Sequence, residues 1–125
     1  MSGVARNFFG LSLIYAICGL LLGLQMAISQ DHGQMVTHAH IMLAGFMMSA
    51  VMAYFYHLFP ARAEILLAKV HFWVAAASGI ALTIGLFILF QGVPAAEPLA
   101  AGGSIVFFGA FLLFAWIAIP VLRRR

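Results

Sequence analysis

Five histidines are the side chains of this 125-residue sequence best suited to chemistry. They are His32, the pair His38 and His40, His57 and His71. A neutral imidazole is the commonest metal ligand in proteins and a usual axial ligand to haem iron. Because residues two apart point about 200° away from each other on a regular helix, His38 and His40 cannot both bind one ion from such a helix. The histidines are therefore candidate ligands whose grouping depends on the elements that carry them.

The composition places most of these histidines in lipid. Hydrophobic residues make up 66% of the chain and charged residues only 7%, with a mean hydropathy of +1.13. Soluble domains have about a quarter of their residues charged, and disordered chains need low hydrophobicity. The scattered basic residues form no continuous surface for nucleic acid, and the single Cys18 excludes a disulfide framework. We predict an integral membrane protein whose main partner is the lipid bilayer, with no nucleic-acid partner.

Apolar segments of membrane-spanning length divide the chain. They cover about residues 8–29, 37–59, 65–90 and 101–122, and short connections with helix-breaking residues separate them. Each reaches the roughly 20 residues that a helix needs to cross a bilayer, whereas an open sheet edge cannot be satisfied by lipid. Short connections favour antiparallel neighbours. The sequence therefore predicts an all-α integral membrane fold, a single domain over residues 1–125 forming a four-transmembrane-helix antiparallel up-down bundle.

The basic residues predict the orientation. Arg6, Arg62, Lys69 and the terminal 123–125 arginines all fall on one side of the predicted bundle. The excess of Lys and Arg in cytoplasmic loops then places both termini in the cytoplasm, as expected for a multi-pass protein of the cytoplasmic (inner) membrane.

The first apolar segment also has features of a secretory signal peptide. Arg6 precedes it, and Ala27-Ile28-Ser29 resembles a small-residue cleavage site. Its apolar run of about 20 residues is too long for a signal-peptide core. Gly19 and Gly23 inside it are typical of a helix-packing face. We therefore expect a retained helix.

Depth in the membrane separates the histidines into two sets. His38 and His40 lie at the outer end of the second segment, after His32 in the first connection. His57 lies at the inner end of the second segment, and His71 lies inside the third. With a rise of 1.5 Å per residue, His40 and His71 fall on opposite sides of the midplane. The sequence predicts an outer site at His40 and His38 and a possible inner site at His57 and His71.

Simpler roles for the same residues stay open. His57 or His71 could be a hydrogen-bonded packing residue, His32 a solvated loop side chain, and 37–40 a polar helix end at the interface. The methionines could supply thioether ligands to copper, but their spread around the helix is typical of adaptable packing. They are Met35, Met42, Met47, Met48 and Met52.

One stretch of the chain resembles a known membrane helix. It begins Val36-Thr37-His38-Ala39-His40-Ile41-Met42-Leu43-Ala44-Gly45-Phe46 and ends Tyr56-His57-Leu58-Phe59-Pro60. This resembles the second helix of subunit I in the haem–copper oxidase and nitric oxide reductase superfamily, and more closely the short four-span proteins that are similar to cytochrome c oxidase subunit I. The resemblance covers about 25 residues and implies that a histidine near the outer face binds low-spin haem.

Two alignments with that helix are possible. Matching the spacing to Ala44 and Gly45 makes His40 the iron ligand, and this is the alignment we favour. Matching the His-Ala-x-x-Met pattern makes His38 the ligand instead. The helices that supply the family's second haem ligand and its copper-binding histidines have no counterpart in this sequence.

The resemblance therefore implies a haem b protein without an autonomous haem–copper centre. It implies electron transfer or binding of NO or O₂, as an electron carrier or subunit more than as a stand-alone enzyme. The second axial ligand could come from another protomer or a partner membrane subunit, or that position could bind a gas. A relay of two haems through His57 and His71 is a weaker variant. The alternatives are a copper-handling or assembly factor, and a structural subunit of a respiratory complex.

Glycines predict close helix packing and a homo-oligomer. Gly19 and Gly23 on the first helix, and Gly102, Gly103 and Gly109 on the fourth, allow backbones to approach closely. Four helices also enclose little volume for a haem, which favours a site shared between protomers.

Overall fold

A computed structural model describes residues 1–123 of the chain, which are 88% helical and contain no strand. Four long helices, α1 (Gly3–Ser29), α2 (Met35–Leu58), α3 (Leu66–Leu89) and α4 (Glu97–Leu122), are each long and apolar enough to cross a membrane. The prediction of an all-α multi-pass membrane protein is confirmed. Arg124 and Arg125, used above to predict the orientation, lie outside the described residues.

Two of the predicted boundaries are wrong by several residues. Helix α1 begins at Gly3 and not near residue 8, and α4 begins at Glu97 and not near residue 101. Hydropathy detects the apolar part of a helix, whereas polar residues continue the same backbone hydrogen bonding beyond it. Helix α1 ends at Ser29. The next residue, Gln30, turns the chain with a left-handed φ of 57°, and its side-chain amide donates to the Ala27 carbonyl at 2.6 Å.

Helix α2 is not regular along its length. It is α-helical over Met35–His40, π-helical over Ile41–Met47 and α-helical again over Met48–Leu58. A π-helical turn holds more residues than an α-helical turn and is frequent at functional sites. Gly45 lies inside this stretch, and a side chain there would collide with the ring of Tyr15 from α1. The wide turn and the missing side chain together admit a large aromatic ring between α1 and α2.

Some of the glycines predicted to mediate assembly pack against other helices of the same chain, and the others face open space. Gly19 faces Met42, and Gly23 faces the His38 ring, whose Cε1 atom would lie 3.0 Å from an added Cβ. Gly103 lies directly against the backbone of α3, while nothing lies within 4 Å of the Cβ positions of Gly102 and Gly109. The expectation that Gly19 and Gly23 serve contacts between protomers is therefore wrong, because they are occupied by packing within the chain.

The helices bury a narrow core and leave large apolar side chains outside. The most extensive contacts join α3 to α4 and α1 to α2, and the two are of similar extent. Phe8, Met52, Tyr56, His71 and Ile117 are among the fully buried residues at one end of this core. Many leucines, isoleucines and phenylalanines are exposed on all four helices. That distribution is consistent with contact with a bilayer.

Candidate functional site

A buried polar network holds the beginning of α2 against α3. The Thr37 hydroxyl donates to the Gln34 side-chain oxygen at 2.6 Å, and the Gln34 amide nitrogen donates to the Phe87 carbonyl at 3.0 Å. Thr37 is fully buried and Gln34 nearly so. Hydrogen bonds in a low-dielectric interior are strong, and breaking them leaves unpaired polar groups. These hydrogen bonds fix the position of the backbone from which the next residues, His38 and His40, extend.

His38 lies in the contact between α1 and α2. Its Nδ1 atom is 2.9 Å from the Gly19 carbonyl oxygen, and its ring lies against Gly23. A carbonyl can only accept, so Nδ1 donates and carries the proton. The ring is half-buried and its orientation is set by the neighbouring helix.

The His40 ring is half-buried and is held by its own helix. Its Nδ1 atom is 2.9 Å from the carbonyl oxygen of Val36, one turn earlier, and this hydrogen bond is exposed at the protein surface. His38 and His40 therefore hydrogen-bond to different helices. The acceptor of the His40 hydrogen bond is thus a backbone carbonyl, whereas the side chains of Gln25 and Gln34 bond elsewhere.

Both outer histidines are prepared as ligands in the same way. In a neutral imidazole whose Nδ1 carries the proton, Nε2 has the free lone pair that binds a metal. A backbone carbonyl on the non-ligating nitrogen is the usual arrangement behind a metal-bound histidine. His40 differs from His38 in that its ring bonds to its own helix and not to α1. The geometry therefore offers His40 as a ligand at the helix surface and His38 as a ligand close to α1.

The other predicted ligands are dispersed. Within the described part of the chain, no three His, Cys, Asp or Glu residues group closely enough to hold a metal ion. His32 is exposed in the first connection. The methionines lie in different surroundings: Met42 packs on Gly19, Met52 is buried in the core, and Met47 is exposed.

The inner histidines are not brought together. His71 is fully buried, and its Nδ1 atom is hydrogen-bonded to the Tyr56 hydroxyl at 2.9 Å. His57, the next residue on α2, is exposed, because one residue rotates a helix by about 100°. The structure thus pairs His71 with Tyr56 and gives no support to an inner site made by His57 and His71.

The Tyr56–His71 pair is a feature that the sequence interpretation missed. The His71 ring lies between Phe8 and Phe114, with centroid distances of 5.1 and 5.5 Å. Its Nε2 atom is buried without a hydrogen-bond partner. The spacing of Tyr56 from Met52 (four residues) and Ser49 (seven residues) places it on the same helix face and was a usable signal. Its partner on another helix could not be read from this spacing. The pair joins α2 to α3 inside an aromatic core.

A lipid-facing groove lies beside the outer histidines. It has a volume of about 420 Å³, within the range of about 300–1,000 Å³ typical of small-molecule sites. Its walls come from α1, α2 and α3 and include Tyr15, Cys18, Ile41 and Thr83. Neither His38 nor His40 lines this groove.

Comparison of the chain with protein-family models, curated proteins and solved structures gave no significant match. The function proposed below therefore rests on the chain's own residues and on the resemblance of its second helix.

Proposed function

We propose that this protein is a haem b-binding protein of the cytoplasmic membrane, related to subunit I of the haem–copper oxidase superfamily, that takes part in electron transfer or gas binding. His40 is the proposed iron ligand and His38 the alternative. The observation that carries the proposal is the hydrogen bond from His40 Nδ1 to the Val36 carbonyl, which leaves Nε2 free for a metal. The π-helical stretch that begins at the next residue is a second supporting feature.

The residues present fit the role of one histidine ligand to a haem iron. When bound, the haem supplies a one-electron redox centre or a gas-binding iron. The chain's own contribution is to orient the His40 ring through Val36 and to fix the helix through Gln34 and Thr37. The chain offers no grouped histidines for a second metal in its described part, so the proposed role is that of a carrier or subunit.

The proposed haem site is shared between protomers. His40 is half-buried and its hydrogen bond to Val36 is exposed, which supports a contribution of the other ligand by a second chain or a partner subunit. Gly102 and Gly109 leave space on α4 for a close approach of another helix. A protein that stays monomeric in mild detergent and binds haem fully would remove the reason for this part of the proposal.

We predict that both termini face the cytoplasm and that the helices form an up-down antiparallel bundle. The described basic residues Arg6, Arg62, Lys69 and Arg123 lie at or near the ends that this topology places inside. Reporter fusions after Ser29, Pro60, Gln91 and Arg125 should report outside, inside, outside and inside in that order. The burial of Phe8 against Tyr56 and His71 supports a retained α1. An outside signal at Arg125 would contradict the topology, and a mature N-terminus at Gln30 would contradict the retained helix.

The proposed function predicts a haem b spectrum. Protein purified in detergent from cells with adequate haem should show a Soret band and a reduced α-band of the b type, with haem and protein measured on the same preparation. Metal analysis of that preparation supplies the control. Bound copper without haem would favour the copper-handling alternative, and neither metal would favour a structural subunit.

A further inference from the structure

A cavity lined by two arginines opens near the end of α4. It has a volume of about 240 Å³, and its walls come from the connection before α3, the start of α3 and the last turns of α4. The lining residues include Arg62, Ile65, Trp116, Ile117, Pro120 and Arg123, and none of the residues that line it is acidic. The cavity is therefore positively charged at one wall and apolar at the others.

Its position corresponds to the boundary of the bilayer. Arg62 lies between α2 and α3, and Arg123 directly follows α4, so both guanidinium-bearing residues mark the ends of membrane-spanning helices. Trp116 lies on α4 within two turns of that end and is exposed. Tryptophan is enriched at the level of lipid head groups. A ligand in this cavity would meet charged groups and apolar side chains at the depth of a phospholipid phosphate.

We propose that this cavity binds the phosphate group of an anionic phospholipid. A guanidinium presents planar paired donors that match phosphate oxygens, and basic pockets between transmembrane helices are suited to acidic lipid head groups. Arg62 also lines a neighbouring cavity of about 200 Å³ whose other walls are largely apolar, including Leu58, Phe59 and Val121. The adjoining apolar space suits the glycerol and first acyl carbons, which free phosphate lacks. This site is independent of the proposed haem.

The test measures lipid binding to the purified, delipidated full-length chain in mild detergent. The probes are phosphatidylglycerol, phosphatidylcholine and inorganic phosphate, and the readouts are native mass spectrometry and thermal unfolding. We expect phosphatidylglycerol to bind and stabilise the protein more than either other probe. The double variant R62Q/R123Q should bind phosphatidylglycerol roughly 30-fold more weakly, about fivefold for each arginine near an anionic surface. Equal stabilisation by inorganic phosphate, or no preference for the anionic lipid, would overturn the proposal.

A matched variant separates the cavity from general charge attraction. R6Q/K69Q also removes two cations but neither residue lines this cavity, so it should retain binding. Equal losses in both double variants would overturn the site. If R62Q/R123Q fails to fold, the single change R123E alters an exposed residue and should weaken binding about as much, with R6E as its control. Undiminished lipid preference in R123E would overturn the proposal.

Discussion

Replacing His40 with alanine should abolish the haem b spectrum or leave a weakly held high-spin form. The substitution removes the Nε2 lone pair that the hydrogen bond to Val36 orients, without touching the contact of α1 with α2. Removing the group that hydrogen-bonds to a metal ligand lowers metal affinity by about 10–100-fold, so removing the ligand itself should have a larger effect. Optical spectra and haem-to-protein ratios of the purified variant provide the measurement.

Other histidines supply the controls for this prediction. His57→Ala alters an exposed residue of the same helix and should leave the spectrum unchanged. His38→Ala should keep the haem while weakening the α1–α2 contact at Gly19 and Gly23. His71→Ala should also keep the haem but lower the unfolding temperature, because it empties a buried position in the aromatic core. A haem lost in His71→Ala and kept in His40→Ala would contradict the outer site and the alignment behind it.

Replacing Gly103 with alanine should destabilise the fold, whereas the same change at the next residue towards the N-terminus should not. A Cβ at Gly103 would lie 2.5 Å from the Leu82 backbone nitrogen, and backbone atoms cannot move away without separating α3 from α4. Overpacking of this kind costs about 1–3 kcal/mol. Thermal unfolding of the two variants in the same detergent tests this expectation.

Gly102→Ala is the matched control because its Cβ position meets nothing within 4 Å. Both substitutions also replace glycine by a better helix former, which favours the helix by up to about 1 kcal/mol and affects the two variants alike. The difference between their unfolding temperatures therefore isolates the interhelical contact. Equal temperatures would mean that α3 and α4 are not held at this distance in the membrane protein.

The spans of the bundle are predictable from the sequence because lipid imposes a strict requirement. A helix must keep roughly 20 apolar residues in the bilayer, and the four apolar runs of this chain meet that length. The N-terminal ends of α1 and α4 are less predictable, since Asn7 and Glu97 are polar yet continue helical hydrogen bonding. The boundary of a hydrophobic run and the boundary of a helix are different physical quantities.

The candidate site is predictable only where the geometry is local. The separation of His38 from His40 follows from helix geometry, and both side chains are found in different surroundings. The bond of His38 to Gly19 and that of His71 to Tyr56 depend on how whole helices rotate against each other. No spacing within one helix specifies that rotation, so the aromatic core around His71 was beyond sequence reasoning.

Because of the π-helical stretch in α2, the residue spacing that marks one face in the first half of this helix is shifted in the second half. Buried Thr37, Gly45 and Ser49 are separated by multiples of four residues, a longer repeat than the 3.6 residues of a regular turn. The stretch Ile41–Met47 thus behaves as a regular helix with about one residue inserted. When α2 is superposed on a regular transmembrane helix, a one-residue gap within this stretch is needed to match both the histidine end and the tyrosine end. Without that gap, a superposition that fits Tyr56 will assign the histidine end to the wrong position.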